Sequence, residues 1–360
     1  MARALQDPAP MLRLATRLAL LLGLVLVLGA CPEEGGPTPD GALPDRGPEE
    51  DSRISDAAPP DDGAKGDGPE GDGPGADHGP SPDGPPVDGP VSDVSPAADL
   101  GPATGPFRVA TFNCYCLKND PAKRIKGIAA EIHKLKPHAV GLQEVCESLG
   151  SGGSDNFAKA LTVELQALSG TAWEHRFAKT HVSWSAYDEG VGLLVPKGNV
   201  IDWGEKSLPQ GNGWFPRKVI WARVGTSNGV FLIYSTHLTV SADAADRANQ
   251  AKTIVALVNQ HATTLPQVVV GDFNDWYGSL AVSAMKSGPP AFTESWGTKH
   301  PGSANPGLTC CYPSFGSRID YIFVKSSALS SLDQVELAFD QPYQGQALSD
   351  HRGLFVQFKN

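Results

Sequence analysis

Residues 106–360 of this 360-residue chain predict an α/β sandwich. Two observations carry that expectation. Apolar runs of strand length are mixed with amphipathic helical stretches, so hairpins and crossovers are both implied, not the strict alternation of a barrel. The composition of this part is ordinary and nearly neutral, unlike residues 1–105, and its length suffices for one substantial core.

The elements follow in order. FRVATFNCY (107–115) reads as a strand ending at Asn113. In NDPAKRIKGIAAEIHKLKP, Asp120 can cap a helix and Pro121 suits its first position. Ile125, Ile128, Ala129, Ile132 and Leu135 share one face of that helix. HAVGLQEV (138–145) is a short buried strand ending at Gln143 and Glu144. Residues 154–169 form a second helix, with Phe157, Leu161, Leu165 and Leu168 on one side. GVGLLVP, KVIWARV and GVFLIYSTHL (190–238) read as three strands, and residues 243–261 as a third helix. QVVVGDFND, RIDYIFV (318–324) and RGLFVQF (352–358) supply the last strands.

Before this part lies a different kind of sequence. MLRLATRLALLLGLVLVLGAC, residues 11–31, sets Arg13 and Arg17 ahead of an apolar run ending in Leu28, Gly29, Ala30 and Cys31. A charged start, an apolar centre and small residues at the cut predict a secretory signal over residues 1–30. The run is about 14 residues, short of the roughly 20 a spanning helix needs. The L-G-A-C ending resembles a bacterial lipobox. It makes Cys31 the expected lipidation site and the cell envelope (outer membrane or cell surface) the expected location, anchored through acyl chains. A plain signal with a chance cysteine is the competing reading, and Met11 serves equally well as the start. Residues 31–105 are built from Gly, Pro, Asp, Ala and Ser. From 32 to 105 there are 18 Asp/Glu against 3 Lys/Arg. So few apolar side chains cannot offset ordering entropy, and a disordered tether with a reach of about 50 Å is expected. Calcium or partner binding by the acidic tract is the alternative, but the Asp spacing lacks a calcium-loop pattern. The tether's net charge of −15 dominates the chain's −11, and with +2 in the leader it leaves residues 106–360 near +2. That excludes the electrostatic footprint of tight, sequence-blind nucleic-acid binding, though not a small basic cleft.

Polar residues recur at strand ends: Asn113, Glu144, His237, Asp272 with Asn274, Asp320, and Asp350 with His351. Asp and Asn end strands well, which explains any one of these. The repetition is the signal. If the ends share one rim, they offer oxygen ligands for a hard divalent cation beside proton-handling groups. Within VVVGDFNDW (268–276), the valines imply a buried strand and Gly271 a close backbone approach that fixes Asp272 and Asn274. Asp275 reads as a turn residue. His133, His138, His175, His181, His261 and His300 read as structural or surface groups.

TFN, LQEV, STHL, GDFND, RIDYIFV and LSDHR, in this order and spacing, resemble the endonuclease/exonuclease/phosphatase superfamily over residues 107–358. The resemblance implies a deoxyribonuclease I-like fold, a four-layered α/β/β/α sandwich of two packed mixed sheets. It implies Mg²⁺-dependent hydrolysis of a phosphoester by in-line attack of water, with Mn²⁺ or Ca²⁺ as possible substitutes. Residue by residue, it implies Glu144, Asn113 and Asp350 as metal contacts and Asp272 as the group that activates water. It also implies Asn274 on the phosphate or on Asp272, His351 on the phosphoryl oxygens with Asp320 behind it, and His237 as a phosphate contact or proton donor. Arg217 and Lys218 of GNGWFPRK fall where relatives contact substrate. A nuclease acting as a monomer is favoured. A sphingomyelinase-like phospholipase, for which Trp203, Trp214, Phe215, Trp276 and Tyr277 could meet a membrane, is the alternative. A catalytically inactive surface binding protein is a third reading, disfavoured because no position of the constellation is substituted.

After Cys31, five cysteines remain: Cys114, Cys116, Cys146, Cys310 and Cys311. Export permits disulfides, and an odd number leaves one thiol unpaired within a monomer. Pairing is not readable. One hypothesis braces the loop 307–321 by a bridge from Cys310 or Cys311 to Cys114, Cys116 or Cys146.

Overall fold

A computed structural model describes residues 106–240, 243–261, 264–289 and 291–359. The expected leader, Cys31 and the tether lie outside the described residues. Sheet 1 holds β1 (Arg108–Asn113), β2 (Ala139–Ser148), β3 (Trp173–Ser183), β4 (Tyr187–Pro196), β11 (Leu332–Ala338) and β12 (Gly353–Phe358), in the order β11-β12-β1-β2-β4-β3. Sheet 2 holds β5 (Val200–Leu208), β6 (Arg217–Thr226), β7 (Gly229–His237), β8 (Gln267–Asp272), β9 (Phe292–Glu294) and β10 (Asp320–Lys325), in the order β5-β6-β7-β8-β10-β9. Each sheet has one parallel pair at its centre. Helix α1 (Pro121–Leu135) crosses between β1 and β2, and α3 (Ala244–Gln260) between β7 and β8. The other strand pairs are antiparallel. Among the described residues no helix is long and apolar enough to cross a membrane.

Three apolar clusters separate four layers. Val109, Leu193, Leu354 and Val356 of sheet 1 meet Ile220, Ile233, Val268, Val270 and Ile322 of sheet 2. Ile128 and Ile132 of α1, with Phe157, Leu161 and Leu165 of α2 (Phe157–Ser169), cover the outer face of sheet 1. Ile254 and Val258 of α3, with Val282 and Met285 of α4 (Leu280–Ser287), cover sheet 2. The expected α/β/β/α sandwich is therefore the fold. Asp120 caps α1 through the Lys123 amide, with Pro121 at the helix start, because the orphan amides of a first turn need an acceptor.

The sequence reading missed β3, β5, β9, β11 and α4. All four missed strands are sheet edges. An edge strand buries less of itself, so charged side chains interrupt its apolar pattern, as in VIDWGEKSL and LDQVELA. The three valines 268–270 are fully buried because alternate side chains enter the inter-sheet core and the layer under α3.

Arg124 of α1 was also missed. It is fully buried and donates to the Leu348, Cys116, Lys118 and Cys114 carbonyls. One guanidinium thus ties the loop after Asn113 to the loop before Asp350. Disulfides join Cys116 to Cys146 and Cys310 to its neighbour Cys311, while Cys114 is a buried free thiol. A bridge from the 307–321 loop to the other cysteines does not form. Hydrogen bonds hold that loop instead: Tyr312 N donates to Asp350 O, and Arg352 N to Thr309 O.

Candidate active site

Strand direction brings the polar ends together. Asn113, His237 and Asp272 close β1, β7 and β8, whereas Asp320 and His351 stand at the start of the antiparallel β10 and β12. Register finishes the alignment, since Asp272 lies beside both His237 and Asp320. Glu144 arrives differently. It sits inside β2 at a break in register between Leu142 and Val145, with φ +49°. Such a bulge re-aims one side chain without ending the strand.

Beneath the site the two sheets are joined by polar groups. Gln143 donates to Thr111 Oγ1 and to Ser235 Oγ across the sheet gap, at 3.2 and 3.1 Å. At Gly141 a Cβ would lie 2.3 Å from Val270 Cγ2, so the close sheet approach requires glycine. Gly271 has φ +147°, and a Cβ there would lie 2.0 Å from Thr236 O. The glycine before Asp272 is thus demanded both by conformation and by space.

Asn113 Nδ2 donates to Glu144 Oε1 and to Asp272 Oδ2, both at 3.1 Å, while its Oδ1 accepts from the Tyr115 amide at 3.0 Å. The amide turns its nitrogen to the two carboxylates and braces them. Asp272 Oδ1 accepts from the Asn274 amide at 2.8 Å, an Asx turn that accommodates the φ of +47° at Asn274. His351 Nδ1 lies 2.8 Å from Asp320 Oδ2, and His351 Nε2 is 3.8 Å from Asp272 Oδ2. His237 Nε2 is 3.6 Å from the same Asp272 oxygen. Ser349 Oγ donates to Asp350 Oδ1 and accepts from the His351 amide, fixing the LSDHR turn.

The electrostatics divide these groups. Loss of water, then the Glu189 and Asp350 charges, push the Glu144 carboxyl up to about 8. Burial, then Asp320, push Asp272 up to about 6. Burial opposes a charged His351, yet Asp320, with Asp272 and Asp350 behind it, holds the ring well above its ordinary pKa. Burial and the Arg217 charge hold His237 well below.

Arg217 is buried, and its Nη1 lies 3.2 Å from His237 Nδ1. Lys218 is not brought into the cluster. The next residue on a strand faces the other way, and it pairs with Glu205 at 2.6 Å. Asp275 is a structural turn residue: it accepts from Arg247 Nε at 2.9 Å, tying α3 to the end of β8. Two residues were not foreseen as part of the site. Glu189 is buried beside Arg217, and His181, expected to be structural or on the surface, lies 3.6 Å from Glu189 with Phe215 stacked on its ring. The available signal was an acid directly before GVGLLVP, a strand that starts earlier, at Tyr187.

The sequence profile of the Endonuclease/Exonuclease/phosphatase family matches residues 110–351, which takes in every one of these strand ends. The chain belongs to this family. No curated protein matches it. Among solved structures, the endonuclease/exonuclease/phosphatase family protein from Leptotrichia buccalis superposes with TM-score 0.58 at 17% identity, covering 71% of this chain and 100% of that one. The human Nocturnin catalytic domain with bound sulfate gives TM-score 0.53 at 17% identity, over 70% of this chain and 94% of that one. D. rerio TDP2 complexed with single-strand DNA product gives TM-score 0.53 at 17% identity, over 71% and 99%. At such identities the likeness establishes the shared sandwich. Membership in the family makes this chain a phosphoester hydrolase in the broad sense.

Proposed function

We propose that the chain is a divalent-metal phosphodiesterase, with Mg²⁺ as the first-choice ion and nucleic acid as the substrate. The observation that carries this reading is the meeting of Asp272 with a carboxylate-backed histidine, His351, beside the crowded carboxylates of Glu144, Glu189 and Asp350. The donor set fits a hard cation. Glu144 and Asp350 offer carboxylate oxygens, and burial, then the Glu189 and Asp350 charges, push the Glu144 carboxyl up, so arriving positive charge favours its ionised form. Bound there, a divalent ion supplies neutralisation of phosphate charge.

The chain's own groups do the rest. Asp272, pushed up to about 6, is matched to accept a proton from the attacking water near neutral pH. His351, kept charged by Asp320, donates through Nε2 to a phosphoryl oxygen. Asn113 and Asn274 hold Asp272 in place.

Aromatic rings with cations over them support nucleic acid. Lys118 lies 4.2 Å from the Trp184 ring and 5.0 Å from Tyr115, next to Asn113. Arg318 lies 4.7 Å from Tyr277, three residues past Asn274, and Arg352 lies 3.8 Å from Phe315. Interleaved rings and cations suit stacked bases and their phosphates. The TDP2 relative solved with a single-strand DNA product is consistent with this. Trp214 and Trp276, 69% and 66% exposed, favour a second reading, a phospholipase at a membrane surface. Lipid anchoring through Cys31 at the cell envelope completes the proposal.

The test is parallel assay of the protein with Mg²⁺ on single-stranded DNA, plasmid DNA and sphingomyelin vesicles, with EDTA and His351→Ala as controls. DNA cleavage lost in both controls supports the proposal. Phosphocholine release without DNA cleavage would transfer the assignment to lipid. Inactivity on all three would remove the phosphodiesterase reading.

A further inference from the structure

The two site histidines face opposite partners, and the difference assigns them different work. Nδ1 of His351 meets a carboxylate oxygen at 2.8 Å. Nδ1 of His237 meets a guanidinium nitrogen at 3.2 Å. A carboxylate only accepts, so His351 carries hydrogen on Nδ1. A guanidinium only donates, so the Nδ1 of His237 must be the bare nitrogen.

A second contact makes this a real choice. Asn274 Nδ2 lies 2.9 Å from His237 Nε2 and 3.0 Å from the Leu238 carbonyl. A neutral imidazole has one accepting nitrogen, so Arg217 and the Asn274 amide nitrogen cannot both donate to it. The amide can exchange its nitrogen for its oxygen by a half-turn, at the expense of the Leu238 contact. The guanidinium has no such alternative. It is also held: Arg217 is buried at the start of β6, with the Glu189, Glu144 and Asp272 charges around it. The fixed donor prevails over the reversible one.

The geometry points to Arg217 as a positioning residue that locks His237 in the neutral tautomer with hydrogen on Nε2, a hydrogen that the turned Asn274 oxygen accepts in the free protein and that a phosphoryl oxygen can take over. His237 Nε2 is 2.9 Å from the Asn274 amide and 3.6 Å from Asp272 Oδ2, so both border the oxygen it would serve. A neutral ring with that hydrogen can stabilise charge developing on an oxygen. It cannot serve as the water-activating base through Nε2, and it does not compete with Asp272 for that proton. Arg217, enclosed by carboxylates, acts through His237. The tautomer rests on the buried Arg217 contact and on the half-turn of the Asn274 amide, whereas its use in catalysis rests on the phosphodiesterase reading.

The two are separated by experiment. Long-range ¹H–¹⁵N spectra of the ¹⁵N-histidine-labelled full chain, with the signal assigned by its absence in His237→Gln, report the tautomer without any substrate. The expected result is a bare Nδ1 and a protonated Nε2 from about pH 6 to 8. Arg217→Lys, still a donor, keeps that pattern, and Arg217→Met, which has no donor, loses it. With a chromogenic aryl phosphodiester, Arg217→Met should lower kcat about 10–100-fold while KM changes little. A hydrogen on Nδ1 in the unsubstituted protein overturns the inference, as does an Arg217→Met variant that raises KM and leaves kcat intact. If Arg217→Met does not fold, the unsubstituted and Arg217→Lys spectra still decide. Absence of hydrolysis with the expected spectrum would sink the phosphodiesterase reading and leave the tautomer standing.

Discussion

Asn113 shows how much one side chain can organise. Its single amide nitrogen stands between Glu144 and Asp272, two carboxylates that would otherwise repel. Asn113→Ala should therefore weaken Mg²⁺ binding about 10–100-fold, as loss of a brace beside a metal site does; titration calorimetry measures it, and an unchanged affinity would refute the bracing role. Asp320 acts on one partner. With Asp320→Asn the charge holding the His351 proton is gone, so the pKa of His351 falls. Loss of activity at high pH should then begin at a lower pH, with kcat down about 10²–10⁴-fold at neutral pH. The pH–rate profile reads both effects, and an alkaline limb that stays in place would show that His351 charge is not what the reaction uses.

At the scale of elements, each catalytic side chain depends on backbone that tolerates no filler. Gly271→Ala puts a Cβ 2.0 Å from Thr236 O at a φ of +147°. A loss of about 3 kcal/mol is expected in urea denaturation, from strain and from the forced separation of β7 and β8. The Cys116–Cys146 bridge closes a separation of 30 residues beside Glu144. Replacing both cysteines with serine should cost about 3–4 kcal/mol if the constraint acts on the unfolded chain. Thermal melts with and without reductant provide the comparison, and coincident melts would place the stabilisation elsewhere. The central strands were legible because buried faces on both sides leave continuous apolar runs, as in Val268–Val270. The edge strands β3, β5 and β11 were not, because solvent on one side admits Lys, Glu and Asp among the apolar residues, and β9, three largely buried residues, is too short to show a pattern.

Over the whole molecule, the site concentrates negative charge that the fold must tolerate. Glu144 has an ordinary pKa of 4.5 and is pushed up to about 8 in the folded chain. Between those values the native state binds more protons than the unfolded state, so stability falls as pH rises. Asp272 completes its change near 6, and the lowered histidines act below their ordinary 6.5. His351, raised, also loses its contribution as pH climbs. From about pH 6.5 to 8 the metal-free protein should therefore lose stability, and Mg²⁺ should raise Tm more at pH 8 than at pH 6.5. Scanning calorimetry in EDTA and in Mg²⁺ tests the sign. A larger Mg²⁺ effect at the lower pH would contradict the carboxylate assignment.

The sequence by itself determined the sandwich, its central strands and helices, and the acids, amides and histidines at the strand ends. Burial periodicity and short motifs are written locally, and both survive without coordinates. Only the tertiary structure decided which groups touch. It placed Arg217 on His237 and turned Lys218 away to Glu205. It gathered Glu189 and His181 beside the site, and it paired Cys116 with Cys146. It also buried Arg124 as the tie between two site loops. These contacts join residues far apart in the chain, across strand register, a bulge and the gap between sheets. Local pattern carries no record of which distant partner will satisfy a buried charge; that is settled when the sheets pack and water is expelled.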